Sequence, residues 1–97
     1  MQASLLDVNK DKVTSAHIEA TIKDEDYYVF PGTELTVCCL TLINGFKVVG
    51  ESACASPQNF NIDIGRKIAR ENAKEKIWAL EGYLLKEKLF KAEKGRA

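Results

Sequence analysis

Apolar residues change their spacing along the chain, and each change marks a new element. Ile18 and Ile22 lie four apart and share a helix face. Thr14 reads as the N-cap of that short helix, with Val13 and Ile18 placed for a hydrophobic staple. Glu19 and Lys23 form an i, i+4 pair on another face. The acidic run Asp24-Glu25-Asp26 separates this helix from an aromatic, β-branched piece, Tyr27 to Phe30, which reads as a short strand. Pro31-Gly32 fits the two central positions of a turn. Leu35 to Ile43 is the clearest strand, and Phe46 to Ala53 is its return. Asn44-Gly45 between them is a type I′ hairpin signal, because both central residues of that turn need positive φ.

A two-residue loop sets the register. It places Ile43 opposite Phe46, Thr41 opposite Val48, Cys39 opposite Gly50 and Val37 opposite Ser52. One face then carries Leu35, Val37, Cys39, Thr41, Ile43, Phe46 and Val48, and is expected to meet the helices. The other carries Thr36, Cys38, Leu40, Leu42, Lys47, Val49 and Glu51. Leu40, Leu42 and Val49 make it too apolar for water, so it needs a cover. The short N-terminal helix is one candidate, and a second subunit or a partner is the other.

Ser56-Pro57 looks like an N-cap followed by proline at the first helical position, the start of one short turn. A long helix is expected from about Asn61, with Asp63 favouring its positive end. Ile62, Ala69, Ala73, Ile77, Leu80 and Leu84 keep helical spacing, with Ile64 and Ile68 as a second ridge. A helix running to Lys91 would be about 45 Å long at about 1.5 Å per residue, too long for one small core. Gly82 is the expected interruption, by ending, bending or close backbone approach. Tyr83 to Phe90 would then fold back as a second helix or project toward another subunit. Residues 91–97 read as a frayed tail and 1–12 as an arm. The expected fold is α+β: a three-stranded antiparallel meander on a long C-terminal helix, with a short N-terminal helix. At 97 residues it is a single domain.

Composition narrows the function. Fourteen basic residues balance 14 acidic ones, so a nucleic-acid role needs local segregation of charge. No apolar run approaches the ~20 residues of a membrane span, and the expected setting is the cytoplasm. The three cysteines fit it as free thiols. Cys38 and Cys39 are adjacent on a strand and point to opposite faces. A zinc site from either of them with Cys54 and His17 has suitable ligand types but no recognised spacing. Cys54, shortly before a helix start, is the best-placed thiol for reactivity. His17 is the only histidine, on a peripheral helix, where a boundary role suits it better than catalysis. Glu51, Asp63, Glu71 and Glu81 include no pair that stands out as acid and base. No catalytic residue, cofactor or metal is assigned.

Arg66, Lys67 and Arg70 open the long helix, where exposed N–H groups favour anions. They are the candidate site for an anion or partner, against the plainer reading of a solvated helix face. Trp78 and Tyr83 flank the suspected break and read as core packing or as aromatic interface anchors.

The ordered blocks YVFPGT, LTVC, LTL, NGF, GESAC, IGRKIAR, NA, KIW and LEGYLL, from Tyr28 to Leu85, resemble the small tailed-phage proteins of the phage N4 gene product forty-nine and phage Sf6 gene sixty-six type. In that family proline often follows the KIW tryptophan; here the residue is Ala79, which leaves the sharpness of any bend open. The resemblance implies a phage or prophage protein acting in the host cytoplasm and supplies no catalytic residues. The expected function is a non-enzymatic accessory protein that binds and modulates a host component, in host takeover or counter-defence. Two alternatives stand beside it: nucleic-acid binding through Arg66, Lys67 and Arg70, and sequestration of a small anion or nucleotide there. Leu40, Leu42, Val49, Trp78 and Tyr83 are the candidate interface residues of an expected homodimer.

Overall fold

A computed structural model describes residues 12–96. The order of elements is α1 (Ser15–Thr21), β1 (Ile22–Val29), β2 (Leu35–Leu42), β3 (Lys47–Ala53), one 3-10 turn (Pro57–Asn59) and α2 (Ile62–Arg96). The strands form an antiparallel meander in the order β1-β2-β3. The expected α+β architecture is therefore the observed one. The arm expected at 1–12 lies, apart from Lys12, outside the described residues.

α1 starts as its sequence signals. The His17 backbone N–H donates to Thr14 Oγ1 at 3.2 Å. Val13 packs against the cluster that buries Ile18, as the staple requires. After Thr21 the backbone turns extended at Ile22, and β1 begins at once. β1 is longer than expected and absorbs the acidic run. Glu25 pairs with Leu40 and Tyr27 with Cys38, and the register shifts between Ile22 and Asp24. Charged residues suit this strand because it is a sheet edge, where charge discourages pairing with another chain.

The β2–β3 turn differs from the type I′ expectation. Its loop has three residues, Ile43, Asn44 and Gly45. Leu42 N–H donates to the Phe46 carbonyl at 2.8 Å, and Gly45 N–H donates to the Leu42 carbonyl at 2.8 Å. Gly45 has φ of 92°, while Asn44 keeps a negative φ and accepts a hydrogen bond from Phe46 N–H at 3.0 Å through Oδ1. This is a turn closed by a left-handed glycine, the usual three-residue hairpin. One extra loop residue slips the register: Thr41 faces Lys47, Leu40 faces Val48 and Cys38 faces Gly50.

A one-residue slip exchanges the two faces of β2. Thr36, Cys38, Leu40 and Leu42 are buried with Val48. Val37, Cys39 and Thr41 lie on the open face, where the core had been expected. Leu40 and Leu42 are thus core residues and not a surface. α1 does not cover a second face either. Ile18 joins the same core as Leu40 and Ala73, so both helices lie on one side of the sheet.

α2 is capped by Asn61, whose Oδ1 accepts from the N–H groups of Asp63 at 2.9 Å and Ile64 at 3.2 Å. Just before it, Asn59 N–H donates to the Ser56 carbonyl at 3.1 Å, giving the expected short turn. The buried line along α2 is Gly65, Ala69, Ala73 and Ile77, one residue in four. Ile62, Ile64 and Ile68, expected in the apolar stripe, are exposed. Small side chains let the helix lie almost on the strands. A Cβ built on Gly50 would come within 2.8 Å of Ala73 Cα and still closer to the backbone of Ala69 and Ala73. α2 continues through Gly82 to Arg96, so the break expected at Gly82 is absent among the described residues. One glycine costs a helix only about 1 kcal/mol, too little to break this one.

Candidate interaction surface

The basic start of α2 is largely used inside the molecule. Arg70 donates through Nη1 and Nη2 to the two carboxylate oxygens of Glu19, at 3.0 and 2.9 Å. Its Nε donates to Glu25 Oε1 at 2.7 Å. Lys74 Nζ adds a contact of 2.8 Å to Glu19. One guanidinium thus ties α1, β1 and α2 together. Arg66 stacks over the Tyr27 ring, 5.3 Å from its centroid, and Lys67 is exposed. The three residues do not converge on a shared anion site, because Arg70 already holds two carboxylates. The nucleic-acid and nucleotide alternatives lose the residue they relied on most.

Hydrogen bonds first from Arg70 and then from Lys74 hold the Glu19 carboxyl down at about 2, from an ordinary 4.5. Arg70 also lowers Glu25, with help from the Tyr27 hydroxyl. A carboxylate with a depressed folded pKa stabilises the fold above its unfolded pKa and loses that contribution as pH falls through the folded value. The clasp is expected to weaken between about pH 4.5 and about pH 2. Urea midpoints measured across that window should fall more steeply for the native chain than for Arg70→Met.

A second polar tie joins α1 to α2. His17 Nε2 lies 2.7 Å from Glu81 Oε1. The histidine sits at the helix boundary and is occupied there. Cys38 is buried, and desolvation raises its thiol pKa above the ordinary value, which suppresses the thiolate. The Cys54 thiol donates to the Ser56 carbonyl at 3.1 Å. Among the described residues no group of three or more His, Cys, Asp or Glu is placed to hold a metal ion, so His17 and the cysteines do not come together as the zinc reading required.

Besides the exposed isoleucines at the start of α2, two apolar surfaces stand out. The open sheet face carries Val37 and Cys39 at its centre, with Tyr28 and Phe30 stacked edge to face at 4.9 Å on one side and Val49 on the other. Asp26, Lys47 and Glu51 rim it, and Lys47 Nζ donates to Thr41 Oγ1 at 2.7 Å across that face. The second place is a groove of about 570 Å³ at the β3 edge, lined by Phe46, Val49, Ala79, Leu80 and Tyr83, with Lys47 and Lys76 beside them. Of the candidate interface residues, Val49 and Tyr83 line this groove, while Trp78 is 37% exposed outside it. Phe46 and Leu80 were missed. Phe46 lies on the helix-facing side of β3 as expected, but past the end of the buried core, and Leu80 had been assigned to the core through unbroken helical spacing.

The blocks that carried the family resemblance fall on the helix–sheet contact. GESAC supplies Gly50, IGRKIAR supplies Gly65 and Ala69, and NA supplies Ala73. Asn72 Nδ2 also donates to the Glu51 carbonyl at 2.8 Å. Residues 13–89 match the model of the Phage protein (N4 Gp49/phage Sf6 gene 66) family. The chain belongs to that family. The match takes in α1, which the resemblance read from Tyr28 onward had left outside. No curated protein and no solved structure matches this phage protein. No helix among its described residues is long and apolar enough to cross a membrane.

Proposed function

We propose that this phage protein is a non-enzymatic accessory factor that binds and modulates a host protein, in host takeover or counter-defence. Its site of action would be the host cytoplasm, during infection or from a prophage. The open sheet face carries this reading. It has an apolar centre in Val37 and Cys39, aromatic anchors in Tyr28 and Phe30, and a charged rim in Asp26, Lys47 and Glu51. Buried apolar centres with polar rims and aromatic anchors are the anatomy of protein interfaces. The face belongs to strands held rigidly by the core behind them, so little ordering entropy opposes docking.

The test is affinity purification from host lysate with the native chain and with Val37→Glu, after circular dichroism shows equal folding. A host protein retained by the native chain and lost with Val37→Glu supports the reading. Equal recovery by both, or no specific protein with either, overturns it.

A further inference from the structure

The long helix outruns the sheet it packs on. Eight residues of β2 span about 26 Å at about 3.3 Å per residue. The 35 residues of α2 span about 52 Å at about 1.5 Å per residue. The fully buried positions on α2 end at Ile77. Beyond it Tyr83 is 67% exposed, Leu84 59% and Phe90 49%. Leu80 and Tyr83 close the groove with Phe46, and a neighbouring hollow of about 200 Å³ adds Leu84.

We propose that a second copy of this chain fills the groove. The segment from Lys76 to Glu87 of each copy would run antiparallel along the same segment of the other, about a two-fold axis between residues 81 and 82, so that Leu80 of one copy meets Tyr83 of the other and Leu84 meets Ala79. This goes beyond the host-binding reading and turns on residues of α2, although Lys47 and Val49 border both surfaces.

Three observations favour a copy of the same chain as the occupant. The first is self-complementarity. The projecting apolar segment directly follows the groove-forming residues on one helix, so a single two-fold axis buries both segments and both grooves together. The second is charge. Glu87 lies three residues after Leu84 and three before Phe90, spacing that keeps it near their side of the helix. It makes no ion pair among the described residues, and neither does Lys76, which borders the groove. Antiparallel docking brings the Glu87 of each copy toward the Lys76 of the other. The third is area. Phe46, Leu80, Tyr83, Leu84 and Phe90 together leave on the order of 500 Å² bare, taking ~150–250 Å² for a whole aromatic side chain. With the flanking lysine and glutamate stems this approaches the ~800 Å² per partner of a stable interface.

Light scattering on the purified full chain tests the proposal, using the native chain, Lys76→Glu, Glu87→Lys and the double variant. The native chain should show a dimer mass. Each single variant should weaken dimerisation at least tenfold, and the double variant, with the charges exchanged, should restore it. All four should keep the same circular dichroism, since Lys76 packs in no core. A monomeric native chain overturns the proposal, including the case in which residues 1–11 of the same chain fill the groove. So does a dimer indifferent to both single changes, or a double variant that stays monomeric. Neither residue lies on the open sheet face, so a lost dimer and a lost host partner are separate readouts.

Discussion

Gly50→Ala is expected to destabilise the fold severely. Its new Cβ would sit inside the backbone of Ala69 and Ala73, 2.8 Å from Ala73 Cα and closer still to neighbouring backbone atoms. A flexible side chain can swing away from such a contact, but helix backbone cannot. The whole of α2 would have to lift from β3, opening the packing of Val48 and Ile77 with it. Ordinary overpacking costs about 1–3 kcal/mol; this collision should reach or exceed the upper end. A domain of this kind has only about 5–15 kcal/mol in total. Gly82→Ala is the matched control, because a Cβ there meets nothing within 4 Å. It should raise stability by up to about 1 kcal/mol through helix propensity. Thermal melts of both variants check the pair. A Gly50→Ala protein that melts like the native chain would mean the helix does not lie where it is described.

Leu40→Ala should produce the second largest loss. Leu40 is fully buried within the cluster that includes Ile18, Val48, Ala73 and Ile77. Truncating such a leucine removes its transfer energy and leaves a cavity, at a cost of about 2–5 kcal/mol. For a chain of this size that corresponds to a fall in melting temperature of roughly 10 °C or more. Val37→Ala, on the other face of the same strand, should cost less than about 1 kcal/mol. The contrast is diagnostic, because the type I′ register would reverse it. Urea denaturation of the two variants distinguishes the registers without a further structure.

Local chemistry made the helix starts and the short turn before α2 readable. Thr14 caps the helix it was expected to cap, the long helix starts beside Asn61 as expected, and the turn at Ser56-Pro57 forms, because each depends on atoms a few residues away. The hairpin register was not readable in the same way. Asn-Gly serves both a two-residue loop and a three-residue loop that ends on glycine, and the two differ by one residue and a whole face. The available signal was Leu40 and Leu42, two leucines against Cys39 and Thr41 on the opposite face. The more apolar set is the one that belongs inside.

The internal partners of Arg70 were hidden for a different reason. Its partners, Glu19 and Glu25, lie 51 and 45 residues away in sequence. Only the fold brings them together, so the basic helix start looked unpartnered. The same long-range pairing explains why the acidic run could join a strand. Glu25 turns inward to Arg70, while Asp24 and Asp26 face solvent along the edge. Gly82 misled in the opposite direction. Its propensity cost is real, but one glycine among good helix formers is too little to stop α2.

The open sheet face offered for host recognition follows from the slipped register. It sends Leu40 and Leu42 inside and leaves Val37 and Cys39 on the open face. The adjacent cysteines report on it directly, since Cys38 is fully buried and Cys39 is partly exposed. Thiol labelling of the native protein, with tandem mass spectrometry to separate the two sites, should modify Cys39 readily and Cys38 only as fast as the protein unfolds. Labelling of Cys38 ahead of Cys39 would contradict the register, and with it the open face on which host binding is proposed.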